Sequence, residues 1–200
     1  MIRIGILGNI GSGKSFVAKK FGYPVFNADH EVSKLYSNNR RIFKLLKKKL
    51  PKHISSFPVD KNKITEAILS NKTNLKKIIN IVHKEIRKKL NLFLKKNKNK
   101  KYIILDIPLL LENKINKKQD LLVFVDSKKK DIDKHLRKRA NLNRRLINRF
   151  KKIQFLPSYK KSKSHFIIKN NFTKKSVNIS IKKILNERNS IRYRDNGTIS

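Results

Sequence analysis

Eight residues near the amino terminus, Gly8-Asn9-Ile10-Gly11-Ser12-Gly13-Lys14-Ser15, have the types and the spacing to hold a polyphosphate. They fit the pattern G-x-x-x-x-G-K-[ST]. Its glycines let the backbone curl N–H groups around anionic oxygens, and a helix beginning near the last glycine turns its positive end inward. Lys14 is then placed to reach β- and γ-phosphates, and the Ser15 hydroxyl to meet Mg²⁺. The pattern follows Ile2-Arg3-Ile4-Gly5-Ile6-Leu7, which reads as a buried strand and distinguishes it from a glycine-rich turn that binds nothing. A bound nucleoside triphosphate is the first expectation.

Two carboxylates stand at the ends of further strands. Pro24-Val25-Phe26 reads as a short strand followed by Asn27-Ala28-Asp29-His30, and Tyr102-Ile103-Ile104-Leu105 delivers Asp106. In open α/β sheets ligands gather at the carboxyl ends of strands. Phosphoryl transfer needs a group to orient the attacking hydroxyl, and Asp29 is the candidate; the competing use is a helix N-cap at Asp29-His30-Glu31. Asp106 has three uses open to it: holding Mg²⁺ through water, touching the acceptor, or pairing with Lys14. Between Lys128 and Gln154 two helical stretches carry Arg137, Arg139, Arg144, Arg145 and Arg149. Most such charges are solvated, but one or two arginines from such a segment can close over phosphates.

The elements that must position these groups follow from the apolar period. Ser15 to Phe21 carries Val17, Ala18 and Phe21 at helical spacing, and Gly22 ends it. Residues 31–50 read as helical with a break at Ser37-Asn38-Asn39, and Pro51 to Pro58 as a loop. A helix starts after Asp60 or Asn62 as N-cap, with Ile64, Ala67 and Ile68 inward. Leu75, Ile78, Ile79, Val82, Ile86 and Leu90 continue the period, predicting a long helix to about Leu94. Leu121 to Val125 ends at Asp126, and Phe166 to Ile168 ends near Asn170-Asn171, completing five strands. Strands alternating with helices call for an α/β fold with a five-stranded parallel sheet flanked by helices. The expected plan is a single domain over 1–200. Its core is 1–30, 100–127 and 164–185, with a helical acceptor-binding insertion at about 31–99, an Arg-rich lid at about 128–160, and a polar, fraying tail at 186–200.

Composition narrows the class. Lys plus Arg number 52 against 13 Asp plus Glu, a net charge of +39 that would ordinarily suggest nucleic acid or an anionic membrane. The lysines are spread over nearly every helix together with Asn and Ile, so a compositional bias on solvated faces explains them better than a groove for DNA. Without Cys there is neither a disulfide framework nor a thiolate metal site. No run approaches the roughly 18 apolar residues of a membrane span, and the chain opens directly into a strand. A cytoplasmic enzyme is expected, either monomeric or weakly homo-oligomeric, acting on small molecules with no specific nucleic acid and no membrane as partner.

The residues resemble one family closely, the dephospho-coenzyme A kinases, which are P-loop NTPases related to nucleoside monophosphate kinases. Ile10 to Ser15 is similar to that family's I-G-S-G-K-S, and Ala28-Asp29 to its A-D after the second strand. Val59-Asp60-Lys61 through Ile64 resembles L-D-R-x-x-L, and Leu75 through His83 resembles L-x-x-[IL]-x-x-I-x-H. Asp106-Ile107-Pro108-Leu109-Leu110-Leu111-Glu112 is similar to D-[VI]-P-L-L-[FL]-E, the most family-specific stretch. Arg139 falls at the lid arginine, Gln154 at the end of the lid helix, and Ile167 to Asn170 on the V-I-x-N strand, so the likeness covers residues 1 to about 185. Leu7, Asn9, Lys84 and Ser164-His165 depart from the family pattern.

The resemblance implies transfer of the γ-phosphoryl group of ATP to the ribose 3′-hydroxyl of dephospho-CoA, with Mg²⁺ as cofactor. It implies Asp29, Lys14 and Arg139 as catalytic residues and residues 8–16, from Gly8 to Phe16, together with Asn170 as the ATP site. It further implies Asp29, His83, Asp106, Pro108 and Leu109 against the acceptor, and Ser15 and Asp106 at the metal. Read without the family, His83 is a core histidine rather than a metal ligand, since no second ligand stands at ligand spacing on its helix. The competing readings are another small P-loop kinase and, from a different class, a basic nucleic-acid-binding module.

Overall fold

The computed structural model describes residues 1–138 and 143–195, with side chains described as far as Glu187. Five strands, β1 (Ile2–Gly8), β2 (Val25–Asn27), β3 (Tyr102–Asp106), β4 (Leu121–Asp126) and β5 (Phe166–Lys169), form one sheet in the order β2-β3-β1-β4-β5. Every neighbouring pair is parallel. The five predicted strands and their parallel pairing are therefore present.

Alternation along the strands splits the core in two, because successive side chains point to opposite faces. Ile2, Ile4 and Ile6 of β1 pack with Tyr102 and Ile104 of β3 against Val17, Ala18 and Phe21 at the first helix, α1 (Lys14–Lys20). Val177, Ile181 and Ile184 of the last helix, which runs Lys174–Asp195, complete that face. Leu7, Ile103 and Leu105 look the other way, into a larger cluster built with the helices that lie between β2 and β3. Gly5 stands on this second face because a side chain there would lie 2.6 Å from Leu110 and 2.9 Å from Leu122.

The block between β2 and β3 holds four helices, α2 (Ala28–Asn38), α3 (Arg40–Lys49), α4 (Lys61–Ser70) and α5 (Asn74–Lys96). Asn39 accepts from the backbone N–H of Ile42 and caps α3, which accounts for the predicted break. Asp60 caps α4 through the N–H of Asn62, as one of the two expected caps. The periodic stretch from Ile64 to Leu94 is two helices rather than one continuous run. Asn71 accepts from the Thr73 N–H and hydroxyl, folding a local turn that competes with helix continuation. The apolar period alone does not register that turn.

Between β4 and β5 lie α6 (Lys129–Arg137), α7 (Arg144–Ile153) and the short α8 (Pro157–Ser162), of which only the first two were expected. Pro157 at the first turn of α8 supplies a pre-set φ where its missing N–H has no cost. The last helix, α9, runs on to Asp195, so the expected polar tail is helical over 186–195; residues 196–200 lie outside the described residues. His165, one of the departures from the family pattern, accepts from the Leu122 N–H through Nδ1 and so closes the entry of β4 onto β5. Among the described residues no helix is long and apolar enough to cross a membrane.

Candidate active site

The phosphate-loop residues leave β1 at Gly8 and enter α1 at Lys14, as their spacing requires. Gly11 and Gly13 adopt φ of +82° and +86°, a left-handed region that penalises any side chain. Each is also crowded: a Cβ on Gly11 would lie 2.8 Å from Leu136 of α6, and one on Gly13 would meet the Asn170 amide and lie 3.1 Å from the Phe172 ring. The loop is braced from two directions through one carbonyl. Ser12 O accepts from Ser127 Oγ at 2.9 Å and from Asn170 Nδ2 at 2.8 Å. Lys14 Nζ lies over the loop and donates to Asn9 O at 2.8 Å and Gly8 O at 3.3 Å.

Asn170 stands beside the loop as predicted, but its amide is engaged by protein. Nδ2 serves Ser12, and Oδ1 accepts from the Phe172 N–H at 2.9 Å, supporting Phe172 at a φ of 63°. The buried Asn170 thus braces the phosphate loop through its side chain.

Asp106 ends β3 directly beside Asn27, its register partner on β2. Asn27 Nδ2 donates to Asp106 Oδ2 at 2.6 Å, and Asn27 Oδ1 accepts from the His30 N–H at 2.7 Å as the N-cap of α2. The cap is therefore Asn27, and Asp29 is the second residue of the helix, an exposed acid in its first turn. This removes the capping use considered for Asp29. A carboxylate in the first turn also gains from the helix dipole.

Two cavities meet at Asp29. One, of about 180 Å³, is lined by the loop residues Gly11, Gly13, Lys14 and Ser15, by Ile10 and Phe16, and across from them by Asp29, Asp106, Pro108, His135 and Gln154. The other, of about 290 Å³, is an apolar cleft between α2, α4, α5 and the segment after β3. Val32, Tyr36, Ile68, Ile79 and Val82 wall it, with Asp29, His83, Pro108 and Leu109 at its polar and proline edges. Asp29 and Pro108 line both. Within the cleft His83 is half-buried, its Nε2 has no hydrogen-bond partner, and burial first and the Arg87 charge second hold its pKa below the usual histidine value.

Glu112, at the end of the segment after β3, accepts from Lys160 Nζ at 2.9 Å and from the Phe155 N–H at 2.9 Å. This nearly fully buried pair ties α8 to the segment that walls both cavities.

The structure brings together Lys14, Ser15, Asp29, Asp106 and Pro108, and sets His83 and Leu109 in the adjoining cleft. Arg139 lies outside the described residues. Three participants escaped sequence reasoning: Asn27, whose bond to Asp106 depends on strand register; His135, which stacks on Phe172 with centroids 4.6 Å apart; and Ser127, beneath the loop. Only Asn27 carried a signal, as an N-cap residue type before a helix.

The residues suit Mg²⁺. A hydroxyl and a carboxylate, from Ser15 and Asp106, face one cavity, and hard oxygen donors of this kind match that ion. Among the described residues no group of three or more His, Cys, Asp or Glu could hold a metal alone, so the remaining ligands would come from phosphate and water.

Comparison with known proteins points to one family. The family model described as dephospho-CoA kinase matches residues 2–176. A dephospho-CoA kinase of Wolbachia pipientis wMel is 32% identical over 191 residues, covering 93% of this chain and 97% of the relative. One from the Wolbachia of Brugia malayi is 31% identical over 187 residues, covering 91% and 95%. Among solved structures, a Thermus thermophilus protein superimposes with a TM-score of 0.72 at 25% identity, covering 93% of this chain and 97% of the other. The dephospho-CoA kinase from Campylobacter jejuni shares the fold with a TM-score of 0.59 at 22% identity, covering 92% and 96%. With a family model spanning most of its length and relatives above 30% identity across nearly the whole chain, this protein belongs to the dephospho-CoA kinase family.

Proposed function

We propose that this protein transfers the γ-phosphoryl group of ATP to the ribose 3′-hydroxyl of dephospho-CoA, giving CoA and ADP. The observation that carries the reading is Asp29, one carboxylate in the wall of both the phosphate-loop cavity and the apolar cleft. An acceptor lying in the cleft presents its hydroxyl to Asp29 at the point where the two spaces join.

Each residue then has a role that phosphoryl transfer requires. The loop from Gly8 to Phe16 holds the triphosphate, and Lys14 neutralises charge on the group in flight. Asp29 orients the hydroxyl and accepts its proton as the O–P bond forms, while the bond to the β-phosphate oxygen breaks and ADP leaves. Ser15 and Asp106 would hold Mg²⁺, which when bound would supply positive charge to offset that of the phosphates. His83, Pro108 and Leu109 line the acceptor side, where apolar walls suit a large ligand with only a few polar anchors. The helices α2 to α5 form the acceptor-binding insertion, and α6 to α8 the lid. Arg139, at the position of the family's lid arginine in the sequence resemblance, serves the transferring phosphates in this reading.

An acceptor panel tests this reading. ADP release from Mg-ATP should occur with dephospho-CoA and fall to background with nucleosides, nucleoside monophosphates and shikimate. Turnover with one of those acceptors instead would keep a P-loop kinase and overturn the substrate.

A further inference from the structure

Helix α7 meets both cavities with one stripe of side chains. Leu146 and Phe150 line the apolar cleft, and Gln154, the C-cap of the helix, lines the phosphate-loop cavity. The three are spaced i, i+4 and i+8, which stacks side chains of successive turns on one face. Leu146 and Phe150 are half-buried against the core cluster of the acceptor insertion, and α7 packs on α4. At the far end Gln154 Nε2 reaches Pro108 O at 3.5 Å, and the next residue, Phe155, donates its N–H to Glu112. The stripe is therefore seated at both ends on elements that wall the acceptor cleft.

We infer that α7 couples the two substrates, with Leu146 and Phe150 as specificity-determining residues for the acceptor and Gln154 as the group that carries their position to the donor site. Acceptor surface seated under Leu146 and Phe150 fixes the helix. The helix is short and stiff, and Leu146 lies eight residues, about 12 Å at helical rise, from Gln154 at its C-cap, so fixing one end fixes Gln154 beside the phosphates. Binding of either substrate then favours the other by the same factor, as linkage requires. This rests on dephospho-CoA being the acceptor. Asp29 and Pro108 also belong to both cavities, so the test must leave them unchanged.

The test is a pair of calorimetric titrations with Mg²⁺ and an imido-bridged, nonhydrolysable ATP analogue, with and without saturating dephospho-CoA. The wild-type chain should bind the analogue at least about fivefold more tightly with dephospho-CoA present. The double variant Leu146→Ala/Phe150→Ala should bind the analogue alone as the wild type does, with the factor reduced to near one. Gln154→Ala should bind dephospho-CoA alone as the wild type does and likewise lose the factor; its half-exposed side chain leaves the core intact, so it tests the inference even if the double variant fails to fold. A wild-type factor of one, or a full factor retained in Gln154→Ala, overturns the coupling. Absence of any dephospho-CoA binding in the wild-type titration would overturn the acceptor assignment itself, an outcome distinct from binding without coupling.

Discussion

The side-chain amide of Asn27 donates to Asp106 Oδ2 at 2.6 Å while its carbonyl oxygen accepts from the His30 N–H at 2.7 Å. One side chain thus fixes the carboxylate at the end of β3 and starts the helix that carries Asp29. It therefore links the placement of the two acids directly.

Replacing Asn27 should expose that dependence. Asn27→Ala removes a cap, worth about 1 kcal/mol, and a hydrogen bond to a charged group, worth about 1.5–3 kcal/mol, so urea unfolding should show a loss of about 2–4 kcal/mol. Turnover should fall at least about tenfold. Asn27→Ser should recover the cap portion of stability without recovering turnover. Wild-type turnover in both variants would show that Asp106 needs no such hold.

Asp29→Asn keeps the shape of the side chain and removes its basicity. If Asp29 accepts the acceptor proton, kcat should fall about 10²–10⁴-fold with the dissociation constant of ATP nearly unchanged. Steady-state kinetics beside equilibrium binding of ATP measures both. An unaltered kcat would remove Asp29 from the mechanism.

Much of this site is legible in the residues, for reasons that differ by element. The phosphate loop and its strand are set by local chemistry, since only glycine tolerates φ near +80° at Gly11 and Gly13. Asp106 and Asp126 are readable as strand ends because buried parallel strands are unbroken apolar runs. The turn at Asn71–Thr73 is not, because a side-chain hydrogen bond interrupts a period that the apolar residues carry straight through. Nor is the Asn27–Asp106 bond, which joins residues 79 apart and exists only once β2 and β3 are in register. The contact of His135 with Phe172 depends on how α6 meets the turn after β5, which no local pattern encodes.

The Lys160–Glu112 pair offers a test of what holds α8 to the segment after β3. Breaking a nearly fully buried pair from one side leaves an uncompensated charge, so Lys160→Met should cost about 3–5 kcal/mol in chemical denaturation. The double replacement Lys160→Met/Glu112→Leu should recover most of that loss. Equal destabilisation in the single and double variants would mean that the Phe155 N–H, left without its acceptor in the double variant, costs as much as the orphaned Glu112 charge.

His83 sets a pH dependence whose sign follows from its lowered pKa. Its folded-state value lies below the usual 6.5, so the unfolded chain binds more protons as pH drops. Its stabilising effect is complete above pH 6.5 and is lost progressively as pH falls from there through the folded pKa. Thermal unfolding between pH 7.5 and 5 should therefore show a decline that is shallower in His83→Gln. Identical slopes in the two proteins would contradict the lowered value.

The most direct measurement is the product itself. The purified protein is incubated with Mg-ATP and dephospho-CoA, and the product is examined by phosphorus NMR and mass spectrometry. The expected product is CoA with the new phosphate on the ribose 3′-oxygen, with stoichiometric ADP, and product formation should be strongly reduced in the Lys14→Ala and Asp29→Asn chains. A wild-type protein that consumes ATP without forming CoA, or that places the phosphate on another oxygen, would contradict it.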